Sequence, residues 1–398
     1  MKILHVIDSL DPRGGGPQAV ALRLAAAQTD PEDSVAILTH KENVEVSNRI
    51  EISKTGIPKI GAVSVFEVSR SSNFIGRICA TSIGDWIYKH GSNWDVLHIH
   101  NVWDPSVRAA TAAAKKKKIP YVIVPHASLD PWAMKQSFRK SFKKKLALLF
   151  QLRALINGAT FIHALNSDEV RGISSLKFTA PIEIIPNGIF PSEYNSLPAD
   201  GVFRKKFPQL GESPFIIFLS RLHFKKGLDI LANAFIYAKN KNKELQLVVA
   251  GPDEGALKGF MEQITAAKLN SCVHVVGPLY GEIKFAALVD ATMFCLPSRM
   301  EGFSIAILEA LACRCPVVIS DNCNFPEVKA NNAGITTRLD SEEIGDAFLK
   351  LLSDPQFREK CIQNGHRMVH ESYSWLVISK QIKFIYKKYI KLVHKNTT

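Results

Sequence analysis

Two segments of this chain carry residues that could grip an anionic, hydroxyl-rich ligand. Arg221-Leu222-His223-Phe224-Lys225-Lys226-Gly227 puts positive charge directly after the apolar run 215–219. Arg221 is a rigid fork and Lys226 a mobile point charge, and together they suit a diphosphate. Pro297-Ser298-Arg299-Met300-Glu301-Gly302-Phe303-Ser304 then leads into the apolar stretch 305–312, which Glu309 interrupts. A carboxylate accepts hydrogen bonds from vicinal hydroxyls, so Glu309 could hold a ribose. A buried unpaired carboxylate is costly, and a salt bridge to an arginine of the core is the other way to satisfy it. The amides of Gly302, Phe303 and Ser304 fall at the start of the expected helix, where they could meet phosphate or sugar oxygens. Charge for a diphosphate and an acceptor for a ribose together describe a nucleotide-sugar site.

The first half offers weaker signals. Gly14-Gly15-Gly16 stands between an apolar run and a helical stretch, either as a plain tight turn or as a loop facing a phosphate or an acceptor. The spacing is not the dinucleotide fingerprint. His126, in Pro125-His126-Ala127-Ser128, follows an apolar run and could donate to a sugar hydroxyl. His98 and His100 share a strand face, but no third metal ligand stands near them, and they read as structural or cleft-lining.

These loops need scaffolds. Apolar runs at 3–7, 35–38, 63–66, 96–100, 121–124, 159–164 and 183–185 alternate with helical sequence. The pattern restarts at 215–219, 245–250, 273–276, 292–296 and 316–319. Short apolar strands between helices mean parallel sheets covered on both faces. The class is α/β: two Rossmann-like, doubly wound domains with an interdomain cleft, the ligand loops lying past the strands' carboxyl ends. Domains are expected at 1–190 and 195–372. The tail 373–398 has apolar residues at helical spacing, from Trp375 to Leu392, and is expected to return to the first domain.

At 398 residues the chain is long for one core. Its 46% hydrophobic and 22% charged residues are those of a globular protein. The N-terminus is too quickly polar for a signal peptide, and no apolar run reaches the length of a membrane helix. A cytoplasmic protein is expected, in peripheral contact at most with the inner face of the cytoplasmic membrane. The seven scattered cysteines match no zinc or redox spacing and read as reduced thiols. The net charge of +13 is concentrated in Lys115–Lys118, in 131–167 and in 375–398. Such stretches attract anionic surfaces or simply form solvated faces. In 135–153, Phe138, Phe142, Leu146, Leu149 and Phe150 recur at helical spacing among lysines, as in a helix lying on anionic lipid or one that packs its apolar side on its own domain with the lysines solvated.

Ser220-Arg221, Lys226-Gly227, Val249-Ala-Gly-Pro-Asp253, Val276-Gly277-Pro278 and the Glu301/Glu309 pair resemble the retaining glycosyltransferases of the GT-B architecture, in the large family four. In the first half, Gly14-Gly15-Gly16-Pro17, Val96-Leu-His-Ile-His-Asn101 and Pro125-His-Ala-Ser-Leu-Asp-Pro-Trp132 resemble bacterial members that build exopolysaccharide or O-antigen. The resemblance implies that Arg221 and Lys226 bind the donor diphosphate. It implies that Glu309 holds the ribose and that Glu301 and His126 contact the donor sugar. Gly302, Phe303 and Ser304 would offer amides to sugar and phosphate, Gly15 and Gly16 would lie beside the phosphates, and Val276 would frame the base. It further implies a hexose donor linked to UDP or GDP, a glycan or polyprenyl-diphosphate-linked acceptor, retention of configuration, and no metal or other cofactor. Two departures stand out. Pro17-Gln18 occupies the place where many relatives have a glutamate, and Cys313-Arg314-Cys315-Pro316 the place where relatives often have Cys-Gly-Thr-Pro. A sugar-nucleotide epimerase of similar shape is the alternative enzyme. An anion-binding protein is the non-enzymatic one, and no nucleic-acid module is recognisable.

Overall fold

The computed structural model describes residues 1–129 and 152–395. The segment 135–153, read above as a lipid-facing helix, lies outside the described residues except for its last two positions, as do Asp130-Pro131-Trp132. The chain divides into two units, Met1–Phe190 with Trp375–Thr398, and Pro191–Ser374.

Among its described residues the first unit holds seven parallel strands: β1 Lys2–Val6, β2 Ser34–His40, β3 Ser64–Val68, β4 Val96–His100, β5 Tyr121–Val124, β6 Phe161–Ala164 and β7 Ile182–Ile184. Their order is β3-β2-β1-β4-β5-β6-β7. The second unit holds six: β8 Phe215–Leu219, β9 Gln246–Ala250, β10 Val273–Gly277, β11 Met293–Leu296, β12 Val317–Ser320 and β13 Gly334–Thr337, in the order β10-β9-β8-β11-β12-β13. The central strands are covered on both faces; every residue of β4, β5, β8 and β11 is buried. Continuous burial is why these strands read as unbroken apolar runs.

In each sheet the strand order reverses once, between β1 and β4 and between β8 and β11. There the following helices go to opposite faces, and the strand ends leave a crevice. The loops after β1 and β4, and after β8 and β11, are therefore the ones placed to meet a ligand.

The C-terminal helix Trp375–Lys395 belongs to the first unit and lies against the helix Gly16–Gln28. Trp375, Ile378, Ile382 and Tyr386 are buried. Lys383 reaches Asp30 at 2.6 Å and Asp33 at 2.5 Å, and Tyr389 donates to Glu183 at 2.7 Å.

Candidate active site

In the second unit the loops after β8 and β11 are tied together. The Arg299 amide donates to the Lys225 carbonyl at 2.7 Å, and its guanidinium donates to the Phe224 carbonyl at 3.0 Å. The same guanidinium forks onto Asp229, at 2.7 and 2.6 Å, in the first turn of the helix Leu228–Lys241. This bidentate pair holds the Asp229 carboxyl below its usual range. Gly227 has φ of 72°, and a β-carbon there would stand 2.0 Å from the Pro297 carbonyl oxygen. Only glycine lets the two loops approach so closely.

This clamp places Lys226 on Glu301, with Nζ to Oε1 at 2.6 Å. Both side chains are largely buried, at 13% and 8% exposure. Ser298 donates to the same Oε1 at 2.8 Å, and Asn324 donates to the Glu301 carbonyl at 2.9 Å. A lysine ammonium has three N–H donors. Among the described residues one goes to Glu301, so the group is fixed in place with donors in reserve. Arg221, half exposed, gives one terminal nitrogen to both oxygens of Glu254 at 2.9 Å.

The helix Ile305–Ala312 begins at Ser304. The sequence reads as buried all round, and the structure corrects this. Ile307, Leu308 and 310–312 are buried, while Ile305, Ala306 and Glu309 share a half-open side. Residues three and four positions apart, as Ala306 and Ile305 are from Glu309, fall on one flank of a helix. Glu309 is thus not embedded in the core and needs no arginine of the core. Its partner is Lys284, at 2.7 Å to Oε1, from the helix Gly281–Asp290. Among the described residues, Oε2 is the oxygen left for another donor.

The remaining second-unit residues surround this centre. The Phe303 ring packs on Phe325 and Tyr373, with centroids 5.3 and 5.9 Å away. Its side chain is thereby committed, and the backbone is what it can offer a ligand. Gly302 and Ser304 flank it on the loop that Asn324 braces. Val276 is the extra residue where the register of β10 against β9 shifts, as in a bulge.

In the first unit, Gly15 adopts φ of 97° between a short 3-10 turn, Pro12–Gly14, and the helix Gly16–Gln28. Gly16 and Pro17 open that helix, so its N-terminus follows the loop after β1. His126 has φ of 52° and Ala127 φ of 59°. Two consecutive non-glycine residues in the left-handed region are strained. Glu169 holds them there: its buried carboxylate accepts from the Ala127 amide at 2.6 Å and the Leu165 amide at 2.7 Å. The turn carries His126 back against the switch-point strands, where His100 Nδ1 lies 3.1 Å from His126 Nε2. His5, His98, His100 and His163 are buried behind it. Desolvation lowers the pKa of His126 to about 3 and those of His5 and His163 to about 4. All three are neutral imidazoles.

Sequence reasoning overlooked Lys284, Ser298, Glu254 and Asp229 in the second unit, and His5, His163, Gln28 and Glu169 in the first. No group of three or more potential metal ligands is assembled among the described residues.

Clamped loops at the switch point of a parallel sheet, with a largely buried cation held on a carboxylate, mark the doubly wound class with its ligand loops past the strand ends. Comparison with known proteins supplies the family. Residues 15–188 match the glycosyl transferase 4-like domain, and residues 201–368 match the glycosyl transferases group 1. Phosphatidyl-myo-inositol mannosyltransferase of Mycobacterium leprae is 26% identical over 396 residues, covering 94% of this chain and 93% of that protein. A GDP-mannose-dependent monoacylated alpha-(1-6)-phosphatidylinositol monomannoside mannosyltransferase of Corynebacterium glutamicum is 24% identical, covering 96% of each. Among solved structures, Anabaena HepE in complex with UDP and glucose superposes with a TM-score of 0.78 at 18% identity, over 98% of this chain and all of that one. The chain belongs to the GT4-type glycosyltransferases of GT-B architecture: it transfers a sugar from a nucleotide sugar.

Proposed function

We propose that the chain moves a hexose from a UDP- or GDP-linked donor to a hydroxyl of a lipid-linked or growing glycan, with retention of anomeric configuration. The observation that carries this reading is Lys226 held on Glu301 where the loops after β8 and β11 meet. As the bond from the sugar's anomeric carbon to the diphosphate breaks, negative charge grows on the leaving oxygen. Lys226 and Arg221 stabilise it, Lys226 without reorganisation because Glu301 already fixes its ammonium. Glu309 accepts from ribose hydroxyls, and Val276 frames the base. Gly302, Phe303 and Ser304 give amides to sugar and phosphate, with Gly15 and Gly16 beside the phosphates. Glu301 and His126 contact the donor sugar. The acceptor oxygen attacks from the face the phosphate leaves, and its proton passes to the departing phosphate oxygen. That same-face path retains configuration.

The relatives named as phosphatidylinositol mannosyltransferases support an acceptor carried on a lipid, as in exopolysaccharide, O-antigen or capsule synthesis. A lipid-borne acceptor calls for peripheral contact with an anionic membrane at its cytoplasmic face. Among the described residues, no helix is long and apolar enough to cross a membrane.

A panel of UDP- and GDP-hexoses, scored by thermal shift and donor hydrolysis, tests the reading. One donor should stabilise the wild type, and Glu309→Ala and Arg221→Ala should each lose that response. Folded variants that keep the full response would remove these residues from the donor site. Silence of the wild type toward every donor would overturn the reading itself.

A further inference from the structure

The first unit contains a relay of neutral side chains that ends on His126. Gln28 Oε1 lies 2.7 Å from His5 Nε2, His5 Nδ1 lies 3.0 Å from His100 Nε2, and His100 Nδ1 lies 3.1 Å from His126 Nε2. Gln28, His5 and His100 are wholly buried. The His100 and His126 rings are stacked, 5.3 Å apart and 10° from parallel.

A neutral imidazole has one N–H and one lone pair, so each ring can pass on a single polarity. An amide oxygen only accepts. His5 therefore donates from Nε2 and accepts at Nδ1. His100 must then donate from Nε2 and accept at Nδ1. His126 in turn donates from Nε2, which leaves its Nδ1 as a lone pair. Turning the Gln28 amide over would reverse all three bonds together, so the four side chains form one unit with one polarity. The amide is itself tethered: Gln28 Nε2 donates to the Tyr386 hydroxyl at 3.4 Å, and that hydroxyl lies 2.5 Å from His98 Nδ1. Burial supplies the neutrality the relay requires, for it holds His100 well below its ordinary pKa, like its two neighbours in the chain.

We propose that Gln28, His5 and His100 are positioning residues that fix the tautomer of His126, so that His126 presents Nδ1 as a hydrogen-bond acceptor to a hydroxyl of the donor sugar. This revises the sequence expectation that His126 donates to a hydroxyl. The functional half rests on the reading of His126 as a donor-sugar contact; the tautomeric half rests on the first unit alone.

Nitrogen NMR of histidine-labelled protein near neutral pH, without ligand, reads the tautomer directly. The wild type should show a single His126 tautomer, protonated at Nε2. In Gln28→Met, which removes the amide, the His126 signals should move toward a mixture although two side chains intervene. A wild-type His126 protonated at Nδ1, or His126 signals unchanged in folded Gln28→Met, would sink the relay. The wild-type spectrum decides the polarity even where the variant fails to fold. With UDP-glucose and GDP-mannose as probes, Gln28→Met should lower kcat/KM for the accepted donor about tenfold, near the value of one hydrogen bond. A shifted tautomer with unchanged kcat/KM would overturn the functional half. A fixed tautomer in a wild type that turns over no donor would count against the nucleotide-sugar reading and leave the relay standing.

Discussion

The two units solve the same placement problem with opposite chemistry. Each has its proposed ligand contacts on or against the loops and strands near the point where strand order reverses. The second unit does so with charges held in pairs: Lys226 on Glu301, Lys284 on Glu309, Arg221 on Glu254 and Arg299 on Asp229. The first does so with uncharged rings, His5, His100 and His126 joined end to end. A departing diphosphate needs fixed positive charge, and pairing keeps that charge in place within a partly buried site. A sugar hydroxyl needs only a directed donor or acceptor, which a neutral ring supplies without the desolvation penalty of an ion.

If the second unit works through charge, Lys226 is where the contrast breaks hardest. Lys226→Ala should cut kcat/KM for the donor by roughly a hundredfold to a thousandfold, the scale of removing one donor aimed at developing negative charge. Glu301→Gln keeps an oxygen for Ser298 and Lys226 and should lose less. Steady-state kinetics of the two variants would test this order, and equal losses would mean that the pair acts through Glu301.

Acid should separate the units. An unfolded histidine takes a proton near pH 6.5, whereas folded His5 and His163 do so only near 4 and His126 near 3. Between those values the unfolded chain holds more protons, so stability is full above about pH 6.5 and falls as pH drops toward 4. Asp229 works lower: the Arg299 fork depresses its pKa, so its contribution is present above the unfolded value of 3.8 and is lost as pH falls below it. His223, His274, His366 and His370 of the second unit are lowered too, but none is fully buried. Hydrogen exchange at pH 7, 5.5 and 4.5 should therefore loosen β1, β4 and β5 before β8 and β11. Simultaneous loosening would contradict the contrast.

The smallest effect concerns a backbone fault in the second unit. Arg314 follows the helix Ile305–Ala312 with φ of 60°, a left-handed position that glycine favours. A glycine, which the resemblance puts there, would take this conformation freely; the arginine is exposed and tolerated, at a cost in strain. Arg314→Gly should stabilise the protein by about 0.5–1 kcal/mol, visible as a raised Tm with unchanged kcat.

The scaffold was legible because burial on both faces writes itself as apolar runs: β4, β5 and β8 coincide with 96–100, 121–124 and 215–219. The strand β13 escaped notice because Gly334-Ile335-Thr336-Thr337 is short, half-buried and at the sheet edge. Arg221, Lys226, Glu301 and Glu309 stood out as charges beside apolar runs. Their partners did not. Lys284 meets Glu309 from a different helix, and no local spacing encodes that meeting. The left-handed turn at His126 and Ala127 carries no glycine to announce it, and Glu169, which holds it, lies far along the chain.

The return of the last helix to the first unit sets an order of assembly. Trp375 donates its amide to the Ile189 carbonyl at 2.8 Å, so the chain leaves this unit and rejoins it at neighbouring points. Residues 191–374 are thus threaded as one long excursion. On the ribosome, where chains emerge at roughly 5–20 residues per second, residues 1–190 wait for a helix made more than 180 residues later. Until Tyr386 emerges, the His98 ring and Gln28 lack the hydroxyl that lies against both, and the earlier-made unit is the later to finish.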